Sequence, residues 1–154
     1  MALLVDIPGR QGFELNFLLL DLNGTLSDRG ALIDGAADRL ARLRPRLDVR
    51  LLSADTFGTL DSIATALGVQ AQRVATGADK LAVLQALGAE RCAAVGNGMN
   101  DLAMIREAAV GIVVVEGEGT SGATLAAADV VCRSILDALD LLADPQALAS
   151  TLRA

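Results

Sequence analysis

Short apolar runs that stop at a polar residue, separated by helical stretches, constrain this chain more than any other feature. Leu18-Leu19-Leu20 stops at Asp21, and Val49-Arg50-Leu51-Leu52 stops at Ser53. Residues 91–95 (RCAAV) run into Gly96-Asn97-Gly98, and residues 110–115 run into Glu116. Such runs read as buried strands, and amphipathic helices between them imply βαβ crossovers in a parallel sheet. Ligands of such sheets bind beyond the carboxyl ends of the strands. The polar stops therefore make a list of candidate site residues on one edge.

The same reading supplies the remaining elements. Residues 3–7 form a strand, 8–12 a Pro/Gly turn and 13–20 a second apolar run, together an N-terminal hairpin feeding a buried strand. Helices are expected over 35–43, capped by Asp34, over 57–67 and 79–87, each closed by a glycine, and over 101–108, 125–128, 135–142 and 145–152. Further strands fall at 69–75 and 130–132. The expected fold class is α/β, three layers (α/β/α) about a mainly parallel central sheet. It forms one domain over 1–154 with the hairpin at about 3–15.

Composition removes several classes of function. Hydrophobic residues make up 53% and charged residues 21%, a balance that folds rather than stays disordered. A net charge of -6, no basic block and no Trp or Tyr argue against nucleic-acid binding. No apolar run approaches the roughly 18 residues of a membrane span, and MALLVDIPGR carries an acid too early for a secretory signal. The expected location is the cytoplasm. Cys92 and Cys132 lie in strand-like runs and read as buried hydrophobes. The chain has no His, which speaks against zinc and removes Ser–His and Cys–His catalysis. Chemistry falls to carboxylates, Lys80, hydroxyls and backbone.

Four segments then stand in a telling order: DLNGTL from Asp21, VRLLS ending at Ser53, Lys80 after Gly77, and GNGMNDLAM from Gly96. In this order they resemble the motifs of the haloacid dehalogenase superfamily of phosphohydrolases and phosphotransferases. DIPGR, LLSADTFGT and SILDALDLL further resemble a small group of soluble P-type ATPase-like proteins, which look like a cation pump's phosphorylation domain without its membrane part. The resemblance implies a Rossmann-like fold and an aspartyl-phosphate on Asp21. It implies phosphate contacts from Asn23, Gly24, Ser53 and Lys80. It also implies Mg²⁺ held by Asp21, the Asn23 carbonyl, Asn97 and Asp101. Short intervals between motifs resemble the capless branch. Its substrates are small phosphorylated molecules or phosphorylated macromolecules. Homo-oligomerisation through the hairpin stays open.

Two positions depart from the superfamily pattern. Asn23 stands where its phosphatases carry an acid/base Asp, and an amide cannot trade protons at neutral pH. Slow dephosphorylation is expected, since acid–base help is typically worth about 10²–10⁴-fold. Asn97 stands where a metal-binding Asp is usual, so metal affinity should fall. The alternative is a weak or inactive domain that binds phosphate or a partner. Asp55, Thr56 and Asp79 read as caps, and Thr25 as a brace for the nucleophile loop. Glu116 and Glu118 read as a solvated loop, and Gly117–Gly122 as a flexible one.

Overall fold

The structure is a computed structural model describing residues 1–154. Its centre is a parallel sheet of six strands. They are β3 (Phe17–Asp21), β6 (Asp48–Ser53), β7 (Gln70–Arg73), β8 (Cys92–Gly96), β9 (Val110–Val114) and β10 (Val130–Cys132). Their spatial order is β10-β9-β8-β3-β6-β7. The chain builds outward from β3 through β6 to β7, then crosses to β8 and builds the other half. The switch in direction falls between β3 and β8, and ligands of such sheets bind beyond the carboxyl ends of the strands at that switch.

Strand alternation distributes the core. Leu18, Leu20, Leu51, Ala93 and Val95 face one buried cluster, while Leu19, Leu52 and Ala94 face a smaller one on the opposite side. The larger cluster is covered by α1 (Ala36–Leu43), α2 (Leu60–Leu67), α6 (Ile135–Leu142) and α7 (Pro145–Leu152). The smaller lies under α3 (Gly77–Leu87) and α4 (Leu102–Glu107). The result is the three-layer α/β/α arrangement expected. No helix is long and apolar enough to cross a membrane.

The N-terminal hairpin pairs β1 (Leu3–Val5) with β2 (Phe13–Leu15), antiparallel. The apolar run expected over 13–20 is two strands, because Asn16 breaks it. The Asn16 amide donates to the Arg91 carbonyl and its carbonyl accepts from Asp48, so the chain changes partners there. Leu3, Val5, Ile7 and Leu15 join the larger core cluster. Hydrophobic area therefore fastens the hairpin to the domain.

Three boundaries differ from expectation for local reasons. Gly35, at φ +89°, precedes α1, and Asp34 makes no cap. Helix α2 starts at Leu60, not 57, because Asp55 and Gly58 turn the chain at positive φ. Asp55 Oδ1 then accepts the Leu60 N–H at 2.9 Å, so the cap acts on a later helix start and Thr56 makes none. A small hairpin, β4 (Ser27–Asp28) with β5 (Ala31–Leu32), follows the loop after β3 and had no clear apolar signal.

Candidate active site

The four expected segments meet at the carboxyl edge of β3, β6 and β8. Asp21 ends β3. The next residues curl tightly around the Leu22 carbonyl, which accepts the N–H groups of Leu26 and Ser27 at 2.9 Å each. That curl needs Gly24 at φ +78°. It also brings Gly24 against Asn97 on the β8 loop, where a Cβ would lie 2.4 Å from Nδ2. Glycine is required twice here, for conformation and for close approach.

Lys80, the only lysine in the chain, sits one turn into α3. Thr76 caps that helix and accepts from Asp79, whose carboxylate accepts the Thr76 N–H in return. This capping box fixes the helix start. Gly77 lets it pack against the Asn100 carbonyl, 2.9 Å from where a Cβ would stand. The ammonium of Lys80 is fully buried between two carboxylates, donating to Asp21 Oδ1 at 2.8 Å and to Asp101 Oδ1 at 2.7 Å.

Asp101 is buried as well, and its second oxygen accepts the N–H groups of Asn97 and Gly98 at 3.0 Å. Asp21 Oδ2 accepts from the Thr25 hydroxyl at 3.2 Å, and the same hydroxyl lies 3.3 Å from Asn97 Oδ1. Ser53, at the end of β6, is buried and accepts the Asp55 N–H at 2.9 Å. Its hydroxyl hydrogen is not spent in that bond.

The cluster holds two carboxylates and one ammonium. Burial pushes the Asp21 carboxyl up to about 7, the charge of Asp101 pushes the same way, and Lys80 pulls against both. For Lys80, burial favours the neutral amine, but the two carboxylates outweigh it and raise the group above its ordinary value. The site carries excess negative charge in a desolvated place, so a cation would be welcome there.

The two asparagines behave differently. Asn23 Oδ1 is buried with no hydrogen-bond partner. Asn97 uses both ends of its amide: Oδ1 faces the Thr25 hydroxyl, and Nδ2 donates to the Gly119 carbonyl at 2.9 Å. The glycine-rich loop is thus tied to the site, not free. Ser121 N–H donates to the Asn97 carbonyl at 2.8 Å, and the buried Thr124 hydroxyl donates to the Gly98 carbonyl at 2.9 Å. Glu118 accepts the Arg29 N–H on the small hairpin, and Glu116 accepts the Ile135 N–H at the start of α6. Glu118 and the glycines beside it are exposed, as expected of a solvated loop, while Glu116 is half-buried at the start of α6. Ser121 before GATLAA was the legible signal, since it caps α5 (Gly122–Ala127). Thr124 carried no signal of its own.

No inserted domain covers this sheet edge, although the site's side chains are themselves buried. Only the β4–β5 hairpin and α1 separate β3 from β6, and only α2 and β7 separate β6 from α3. A groove of about 660 Å³ between β7 and α3 is lined by Arg50, Arg73 and Asp79 and does not include Asp21 or Asp101.

This fold and edge define an α/β domain of the kind that handles phosphoryl groups at strand ends. The chain belongs to the haloacid dehalogenase-like hydrolase family, whose model matches residues 9–109. An uncharacterized protein of Methanocaldococcus jannaschii, MJ0073, is 38% identical over 78 residues, 48% of this chain and 84% of that protein. Among solved structures, the chain resembles 3-deoxy-D-manno-octulosonate 8-phosphate phosphatase from Moraxella catarrhalis in complex with magnesium, phosphate and KDO. The TM-score is 0.73 at 19% identity, covering 89% of this chain and 92% of that one. It also resembles a phospho-aspartyl intermediate analogue of phosphoserine phosphatase, with a TM-score of 0.69 at 14% identity over 82% and 98% of the two chains. At such identities the likeness is one of fold. The likeness to P-type pumps stays with the sequence phrases, since both of these solved structures are phosphatases.

Proposed function

We propose that this domain is a Mg²⁺-dependent phosphohydrolase that captures a phosphoryl group on Asp21 and releases it slowly. One observation carries the reading. Segments distant in sequence place Asp21 and Asp101 on either side of Lys80, at 2.8 and 2.7 Å, where the sheet changes direction. Such a pairing is costly to bury unless it serves a purpose.

Asp21 attacks phosphorus through a carboxylate oxygen, the P–O bond to the leaving group breaks, and an acyl phosphate forms. Thr25 and Lys80 aim that carboxylate. Lys80, the Ser53 hydroxyl and backbone N–H groups around Gly24 offset charge on the phosphoryl oxygens. Asn23 donates a hydrogen bond at the leaving oxygen but supplies no proton. The leaving group departs best when it is already a weak base, and water attacks the acyl phosphate without a general base.

The residues fit a magnesium ion. No group of three or more acidic or cysteine side chains converges anywhere in the chain, but two carboxylates do. Magnesium usually takes one or two carboxylates and keeps several waters. Asp21, Asp101 and the Asn23 carbonyl would hold it. When bound it would supply positive charge against the phosphoryl oxygens. The phosphatase neighbours solved with magnesium or cobalt support this choice.

The open edge suits a small phosphorylated substrate or a phosphorylated side chain on a larger one. Both cysteines are free and buried, in keeping with a reducing compartment such as the cytoplasm. Acid-quench trapping with a labelled aryl phosphate and Mg²⁺ tests the reading. Label on the wild type and none on Asp21→Asn is the expected result. Equal labelling, or none on either, leaves a phosphate-binding or regulatory domain instead.

A further inference from the structure

We propose that Asn97 is a positioning residue, not a metal ligand. It fastens the glycine-rich loop to the nucleophile loop and so aims Asp21. The inference rests on the reading of Asp21 as nucleophile, but its structural half stands apart from it.

Asn97 is only 8% exposed, and its amide nitrogen is in use. Nδ2 donates to Gly119 O at 2.9 Å, and Oδ1 lies 3.3 Å from the Thr25 hydroxyl that also faces Asp21 Oδ2. The face of the amide lies on the Cα of Gly24, where any Cβ would meet Nδ2, Cγ and Oδ1 within 3.0 Å. One side chain therefore touches three segments: the loop after β3, the loop after β9 and its own.

The chemistry asks for an amide at this place. The Gly119 carbonyl takes its donor from Nδ2, and a carboxylate in that place supplies none. An ionised carboxylate in place of the Asn97 amide would face the Gly119 carbonyl oxygen to oxygen. It would also add a third negative charge beside Asp21 and Asp101 with one ammonium among them. The neighbouring contacts lock the same joint. Ser121 N–H reaches the Asn97 carbonyl, and Thr124 reaches the Gly98 carbonyl. The glycine-rich loop thus becomes a fixed wall of the site, and its outer side holds the β4–β5 hairpin through Glu118 and the Arg29 N–H.

Three readouts on Asn97→Ala, with Asn97→Asp and Thr25→Val beside it, test this. In Asn97→Ala, amide hydrogen exchange over residues 117–124 should speed by roughly tenfold. Mn²⁺ affinity, read by electron paramagnetic resonance, should stay within roughly twofold, since no ligand is lost. The saturating rate of Asp21 labelling should fall by roughly tenfold while the half-saturating aryl phosphate concentration holds, as mis-aiming predicts. Asn97→Asp should free the loop yet bind Mn²⁺ more tightly. Thr25→Val cuts the same path from its far end and should repeat the fall in saturating rate without touching Asn97. A tenfold loss of Mn²⁺ affinity in Asn97→Ala with loop exchange unchanged makes Asn97 a ligand and overturns the proposal. So does an unchanged loop with an unchanged labelling rate. A wild type that takes neither Mn²⁺ nor label defeats the phosphohydrolase reading instead, and the exchange data still decide what Asn97 holds.

Discussion

Asn23 and Asn97 both stand where carboxylates are usual in this family's motifs, on two loops that touch at Gly24. Their surroundings are opposite. Asn97 is committed, with its amide nitrogen bonded to Gly119, its oxygen beside the Thr25 hydroxyl and its face packed on glycine. Asn23 is uncommitted, with a buried oxygen that has no partner. The same exchange of acid for amide thus has two physical meanings. On the β8 loop the amide builds the wall. On the β3 loop it leaves the fold indifferent and changes only what the site can do with protons.

The contrast can be broken first at the bridge between the loops. Lys80→Met leaves Asp21 and Asp101 buried without their shared cation. It should cost about 3–5 kcal/mol, read by urea unfolding in the absence of divalent metal. Adding Asp101→Asn should restore part of that loss. Gly24→Ala strikes the contact itself. A side chain at φ +78° that also collides with the Asn97 amide should cost about 2–3 kcal/mol and loosen both loops together.

The smallest effects sharpen the comparison most. Asn97→Ala should cost about 1–2 kcal/mol, because the Gly119 carbonyl loses its donor. Asn23→Ala should be close to neutral, since no bond to Oδ1 is lost and an unpartnered buried oxygen is removed. Equal thermal shifts for the two variants would erase the distinction.

The sequence carried the strands and the site edge because burial on both faces leaves apolar runs with sharp polar stops. Asp21 and Ser53 were legible for that reason and Lys80 and Asp101 through the order of the motifs, and the structure brings all four to one edge. The β4–β5 hairpin was not legible, because two-residue strands have no periodicity to read. The glycine-rich loop was read as free because its ties run through main-chain carbonyls. Gly119 O and Gly98 O accept bonds that any residue type could accept. Asn97 looked like a weakened metal ligand for the same reason, since only its partners reveal that its donor is in use. Lys80 as a phosphate-binding cation followed from motif order, but its burial between two carboxylates did not.

The central claim is that capture on Asp21 survives while release lacks a base. Decay of the trapped phosphoenzyme after a chase, compared between the wild type and Asn23→Asp, measures this most directly. A long-lived label on the wild-type Asp21 and decay faster by about 10²–10⁴-fold in the variant is the predicted result. Identical decay in the two proteins, with Mg²⁺ saturating, would contradict it.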